Sequence, residues 1–303
     1  MKVLVTGGSG FLGKRLKIYK PDWTYISSKD YDLTSTEETK QMFRDIKPAA
    51  VVHLAARVGG IKDNAENQAL FFYQNVMMNT NIIHEAYRSG VSRVLSSLST
   101  CAFPDKLEHY PFSEKDFYKG TPTETNFSYG YSKRMLHVQS VAYRKQYGMN
   151  YSTFCPSNLY GPGDHFGDER AHFVASLVHK FANFCDNEVI ELWGTGMPLR
   201  QQLYVDDLCE IIPMLLEKHN SNVPLIVAPN ENLSIREMSQ LITKIKEKES
   251  VSFTFNGKLD GQYRKDGNNS LFLDLVGGYD FTSFREGIEK TYKWYIENEN
   301  FKE

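Results

Sequence analysis

The chain has 303 residues and a net charge of −2 from 35 basic and 37 acidic side chains; 41% of its residues are hydrophobic and 13% aromatic. That aromatic content excludes a disordered chain, and the balanced charge excludes a global positive field for nucleic acid or an anionic membrane. No stretch reaches the roughly 20 apolar residues needed to cross a bilayer, and glycine arrives at Gly7, too early for a secretory signal.

In chain order, an apolar strand over residues 2–6 runs straight into Gly7-Gly8-Ser9-Gly10-Phe11-Leu12-Gly13 and a helix that must stop before Pro21. A second strand is expected over 23–27. Ser35-Thr36-Glu37-Glu38 has the spacing of a capping box and predicts a helix to about Ile46. Further strands are expected over 50–54, 94–98 and 151–155. One long helix is expected over 64–89, closed by Gly90, and another over 129–147, closed by Gly148. This alternation predicts an α/β fold, a Rossmann-type doubly wound parallel sheet covered on both faces. Past Gly161-Pro162-Gly163 the alternation stops, which predicts a domain boundary. Residues 1–163, with a returning segment at about 201–229, form the expected dinucleotide-binding domain. About 164–200 and 230–303 form a smaller C-terminal α/β domain for substrate. Within these, 203–216 and the strand 224–228 are expected to return to the first sheet. Ser234-Ile235-Arg236-Glu237 predicts a second capping box, and 251–255 alternates as a half-exposed strand.

Gly8-x-Gly10-x-x-Gly13 between a strand and a helix is the arrangement that lets backbone N–H groups meet a pyrophosphate. The second strand ends in Ser27-Ser28-Lys29, with no carboxylate before Asp30. An acidic residue there would receive a free ribose hydroxyl; Ser28 and Lys29 suit a 2′-phosphate instead, so NADP(H) is expected. Tyr129 and Lys133, four residues apart, share one helix face. Together with Ser99 after a strand end, they form a constellation for carbonyl reduction. Ser99 and Tyr129 hold the oxygen, Tyr129 supplies the proton, and Lys133 binds the ribose and lowers the phenol's pKa. The four cysteines, Cys101, Cys155, Cys185 and Cys209, are widely spaced. They predict neither a disulfide framework nor a metal site, and a reducing, cytoplasmic compartment.

Thr6-Gly7-x-x-Gly10-x-x-Gly13 with Tyr129-x-x-x-Lys133 resembles the extended short-chain dehydrogenase/reductases. Four further stretches narrow the resemblance to the GDP-L-fucose synthase family. They are His53-Leu54-Ala55-Ala56-Arg57-Val58-Gly59-Gly60-Ile61, the segment from Leu98 to Lys106 with its Ser99-x-Cys101, Trp193-Gly194-Thr195-Gly196, and Asp260-Gly261-Gln262-Tyr263-Arg264-Lys265. The resemblance implies an NADPH-dependent enzyme that epimerises C3 and C5 of GDP-4-keto-6-deoxy-D-mannose and reduces its C4. By that match Cys101 is an acid/base thiol, although by composition alone it reads as a small buried hydrophobe. His172 is the partner acid, with His165 a rival in a loop that departs from the family pattern. The match also surrounds the cofactor with Asp32, Leu33, Leu54, Ala55, Ala56, Ser97, Leu98, His172 and the loop Pro156-Ser157-Asn158-Leu159. For the GDP-sugar it implies Thr100, Asn158, Lys180, Trp193, Arg200, Asp260 and Lys265 beside the catalytic residues. It further implies a homodimer built on four helices, two from each subunit. Phe71, Phe72, Val76, Met78, Ile82 and Ile83 exceed a single apolar stripe, so that helix must bury two faces, between subunits or within one. Competing readings are a C4-reductase of another GDP-4-keto sugar, for example a heptose, and a non-catalytic NADP(H)-sensing module on the same fold.

Overall fold

The computed structural model describes residues 1–167, 171–183, 189–245, 252–257, 260 and 262–298; Cys185, Val251 and Gly261 lie outside them. In chain order the elements are β1 (Val3–Thr6), α1 (Phe11–Tyr19), β2 (Thr24–Ile26), α2 (Thr36–Ile46), β3 (Ala50–His53), α3 (Ile61–Glu66), α4 (Gln68–Arg88), β4 (Arg93–Ser97), α5 (Phe127–Tyr147) and β5 (Asn150–Pro156). There follow β6 (Asn158–Tyr160), α6 (Phe173–Ala182), β7 (Val189–Leu192), β8 (Leu199–Arg200), β9 (Gln202–Tyr204), α7 (Val205–Lys218) and β10 (Pro224–Val227). The chain then continues through β11 (Leu233–Ser234), α8 (Ile235–Ile245), β12 (Ser252–Phe255), β13 (Arg264–Lys265), α9 (Ser270–Val276) and α10 (Phe284–Asn298).

Six parallel strands form the main sheet in the order β10-β5-β4-β3-β1-β2. The chain passes from β1 to one side and then back to the other, so the strand order reverses at the end of β1, where the glycine loop lies. Alternate strand residues feed opposite cores. Leu4, Val51 and Val94 join the cluster under α2, α4 and α5, whereas Val5, Val52 and Leu95 join the one under α1, α7 and α9. A third cluster forms among α6, α8, α10 and β7, around Val178, Phe181, Ile242 and Ile288. Of the returning segment, β10 enters the sheet beside β5, but β9 pairs with β6 outside it. Arg93, buried at the foot of β4, donates to the carbonyls of Leu215 and Leu216 at 2.7 and 2.8 Å. It thereby satisfies the end of α7 with a cation.

Two local expectations need correction. The helix expected over 64–89 is two helices, α3 and α4, broken at Asn67. That residue leaves helical geometry at φ −119°, and its amide donates to Asp63 Oδ1 at 2.8 Å. At Ser35 the capping box is half made: the Ser35 hydroxyl accepts from Glu38 N, but the Glu38 carboxylate accepts from Asp32 N at 2.7 Å. The box at Ser234 is complete, with Glu237 N on the hydroxyl at 3.1 Å and Ser234 N on the carboxylate at 2.8 Å. Among the described residues, no helix is long and apolar enough to cross a membrane.

Candidate active site

The sheet register sets Ile26, Thr6, His53, Ser96 and Thr153 in one row across the strand ends. The glycine loop, the Leu54-Ala55-Ala56 segment and the Ser99 turn leave the sheet just beyond that row. At the end of β1 the chain turns through Gly7 at φ +76°, and Gly10 begins α1 without any side chain capping its amides. A Cβ at Gly13 would sit 2.2 Å from Gly7 O, and one at Gly8 would sit 2.8 Å from Tyr25 Cβ. The loop therefore closes tightly on itself and leaves open N–H groups at a positive helix end, which fits a dinucleotide pyrophosphate. Ser9 and Phe11 complete the turn, Leu12 packs on the second core, and Leu33 is buried in the first core. Asp32 carboxylate accepts Thr34 N at 2.9 Å. After β2, Ser28 and Lys29 are exposed, and the nearby Asp30 carboxylate folds back on Ser27 N and Oγ at 2.8 Å each. The Ser27 contacts occupy that carboxylate and hold its pKa down.

Thr6 Oγ1 accepts the N–H groups of Leu54 and Ala55 at 3.2 Å, which ties the Leu54-Ala55-Ala56 segment to the glycine loop. The same hydroxyl lies 2.8 Å from His53 Nδ1, and His53 Nε2 lies 3.0 Å from Asn79 Oδ1. Burial, with Lys133 nearby, pushes His53 down to about 4, so the ring is neutral. The Thr6 hydroxyl then donates to Nδ1 and Nε2–H donates to Asn79. Asn79 Nδ2 in turn donates to Ser132 O at 3.3 Å, on the helix that carries Tyr129 and Lys133.

Ser99 opens a short 3₁₀ turn, Thr100–Ala102, where its hydroxyl accepts Cys101 N at 3.2 Å. Thr100, the first residue of that turn, is buried. Helix α5 lies directly on the turn because position 130 is glycine: a Cβ there would meet Cys101 O at 2.6 Å. Arg134 Nε, one turn along, donates to Ala102 O at 2.6 Å. This seating brings the Ser99 hydroxyl within hydrogen-bonding reach of both the Tyr129 phenol and the Cys101 thiol. Burial and the neighbouring Cys101 push the phenol above its ordinary range, against the pull of Ser99. The expected lowering by Lys133 is absent from that balance, although its Nζ sits 5.8 Å from the Tyr129 ring. Tyr129 is accordingly a protonated donor at neutrality. Lys133 donates to Ser97 O at 2.8 Å just before Leu98, and burial lowers its ammonium to about 8.

Cys101 carries the feature that reading the sequence missed. Burial would push its thiol up, but Lys265, Ser99 and Arg200 together hold it below an ordinary thiol. Lys265 Nζ lies 3.1 Å from Cys101 Sγ, across 164 positions of sequence. No local spacing signals such a pair; it exists because β13 adds to β8 with Lys265 opposite Arg200. His172 stands at the N-cap position of α6 and makes no side-chain bond to the helix amides; partial desolvation and the nearby Lys265 and His165 lower its basicity. His172 therefore lies near both Lys265 and His165. Pro156 ends β5, Ser157 N donates to Val227 O at 3.0 Å, and Asn158 and Leu159 pass into β6.

Among the other expected substrate residues, Arg200 lies near the Cys101 thiol. Lys180 donates to Glu191 O at 3.0 Å, and Trp193 is 80% exposed. Arg200 Nη1 donates to Leu199 O at 2.7 Å. Asp260 accepts Thr195 N at 2.6 Å and the Thr195 hydroxyl at 2.7 Å, so it fastens the Trp193-Gly194-Thr195-Gly196 turn. Positive φ at Gly194, where a Cβ would strike Asp260 Oδ1 at 2.4 Å, makes that closure possible.

The NAD dependent epimerase/dehydratase family profile matches residues 3–228. A probable GDP-L-fucose synthase of Drosophila melanogaster is 36% identical, covering 98% of both chains. The chain belongs to the GDP-L-fucose synthase family. The GDP-L-fucose synthase of Dictyostelium discoideum, also 36% identical, covers 98% of this chain and 95% of its own. Among solved structures, a GDP-L-fucose synthetase from Naegleria fowleri bound to NADP superposes with a TM-score of 0.89 at 34% identity, over 99% of this chain and 93% of that one.

Proposed function

We propose that the protein converts GDP-4-keto-6-deoxy-D-mannose to GDP-L-fucose by 3,5-epimerisation and NADPH-dependent 4-reduction. The observation that carries this reading is the convergence of two kinds of proton chemistry on one turn: Ser99 faces a protonated phenol on one side and an acidic thiol on the other. Held in the glycine cradle, NADPH would supply the hydride that reduces C4. Ser99 orients the carbonyl oxygen, and Tyr129 gives it a proton. Lys133, anchored on Ser97 O, positions the ribose beside that phenol. Protons on C3 and C5 are acidic because they flank the C4 ketone. The Cys101 thiolate removes them to leave an enolate, whose oxygen Ser99 and Tyr129 hold. His172 returns a proton from the opposite face, and its lowered basicity makes it the stronger acid once protonated.

Ser28 and Lys29 are the proposed partners of the 2′-phosphate, a reading supported by the turning away of Asp30. The GDP contacts are assigned to Lys180, Trp193, Arg200, Asp260 and Lys265. The third core supports a substrate domain of about 164–200 and 230–303, beside a dinucleotide domain of 1–163 and about 201–229; α9 nevertheless packs on the second core. Homodimer formation is assigned to α4 and α5, whose outer faces expose Leu70, Tyr73, Met135 and Val138. A cytoplasmic location is supported by the free thiols of Cys101, Cys155 and Cys209.

The test is turnover in deuterium oxide with product analysis by NMR. The parent enzyme is expected to label C3 and C5 and deliver GDP-L-fucose. Cys101→Ser, with a far less acidic hydroxyl, should reduce C4 without labelling either carbon. Reduction by the parent with no label at C3 or C5 would replace this reading with a pure C4-reductase.

A further inference from the structure

The Cys101–Lys265 contact joins two residues that the family reading assigns to separate tasks, one to proton transfer and one to the diphosphate. Lys265 Nζ lies 3.1 Å from Sγ, within charge-assisted hydrogen-bonding distance of a sulfur. Its position is fixed by the strand: β13 pairs with β8 in parallel, Arg264 opposite Leu199 and Lys265 opposite Arg200. The neighbouring Arg264 is held apart by Asp266, through bonds of 2.7 and 2.9 Å, so that carboxylate is engaged by Arg264. The groups that face the sulfur come from every packed element: Lys265 on β13, Arg200 on β8, Ser99 on the 3₁₀ turn, Tyr129 on α5 and Cys155 on β5. Two are cations, and Cys155 and Tyr129 are held neutral by burial.

We propose that Lys265 is the positioning residue that keeps Cys101 as a thiolate, aimed and ready to take a carbon-bound proton. The proposal rests on the reading of Cys101 as the epimerisation base. In the resting site the thiol has released its proton to solvent and faces the lysine ammonium, giving an S⁻···H₃N⁺ pair. When the thiolate takes a proton from C3 or C5, the electron pair of that C–H bond passes into the enolate. Cys101 becomes a neutral thiol while Lys265 keeps its charge beside the forming anion. Proton and charge balance at each step, and no other reactant is needed.

The protonation state can be read without turnover. Site-resolved mass spectrometry would follow carboxamidomethylation of Cys101 by iodoacetamide as a function of pH in the folded, full-length enzyme. The parent should show a reaction midpoint below that of an ordinary thiol near 8.5. Lys265→Met should raise the midpoint and slow alkylation at neutral pH by about tenfold or more, whereas Lys265→Arg should keep it low by restoring a cation. A parent midpoint at the ordinary thiol value, or a Lys265→Met midpoint equal to the parent's, would overturn the proposal. The parent titration alone decides if the variant does not fold. Failure of the epimerase reading would appear instead as absent deuterium label with the low thiol midpoint intact.

Discussion

Tyr129 and Cys101 sit on either side of one hydroxyl, yet the site drives them in opposite protonation directions. Apolar surroundings disfavour charge on both, and only the thiol has a lysine close enough to reverse that penalty. The division suits the two half-reactions, since reduction needs a donor that keeps its proton and epimerisation needs a base that has lost it. Tyr129→Phe removes the donor but preserves the ring. C4 reduction is therefore expected to fall by about 10²–10⁴-fold, with NADPH affinity unchanged in a fluorescence titration. A loss below tenfold would show that another group protonates the oxygen. The pairing of tyrosine with lysine was legible from their four-residue spacing on a helix. The thiol's partner was not, because a contact spanning 164 positions leaves no periodic trace.

At the scale of elements, the proposed chemistry depends on how closely α5 approaches the 3₁₀ turn that follows β4. Gly130 makes that approach possible, and Arg134 locks it through Ala102 O. Gly130→Ala would place a methyl 2.6 Å from Cys101 O, so helix and turn must separate by several tenths of an ångström. Misplacements on the order of 1 Å can cost about 10²-fold in rate; here at least about tenfold is expected. The expected signature is a fall in kcat for reduction with the NADPH dissociation constant held within about twofold. Equal kcat in the variant would mean that the turn follows the helix. The sheet and the glycine cradle were readable because their signals are local, a period of two and a strand–glycine–helix succession. The break between α3 and α4 was hidden because apolar spacing continues through it; only the backbone of Asn67, at φ −119°, departs from the helix. Glu38 misled similarly, its carboxylate captured by a neighbouring loop rather than by its own helix start.

The whole molecule holds three histidines in its interior, His53, His137 and His219, each pushed down to about 4, by burial first. Unfolded, each has a pKa near 6.5. Between those values the unfolded chain takes up protons that the folded chain refuses, so stability is lost as pH falls from about 6.5 towards 4. By pH 5 the loss is of the order of 2 kcal/mol for each ring. Urea midpoints measured from pH 7.5 to 5 should drop steeply below 6.5, and His219→Gln should make the slope shallower. A flat series would contradict neutral burial of these rings. Assembly is the other property at this scale. Tyr73 is 59% exposed on α4 and Val138 53% on α5, both on the outward side of the packed helix pair. Val138→Asp should shift a dimer to monomers in sedimentation, and a parent protein that sediments as a monomer would refute the proposed interface.

The place of β10 also has a meaning for synthesis. On the ribosome, β1 to β5 emerge as one continuous stretch, but the outer edge of β5 is paired only when residues 224–227 arrive after the excursion through α6 and α7. Until then a buried-type strand presents bare amides and carbonyls to any neighbouring chain. The sheet is thus finished late, by a strand delivered from beyond α6 and α7. A nascent chain stopped before residue 224 is expected to aggregate rather than yield a small dinucleotide-binding unit.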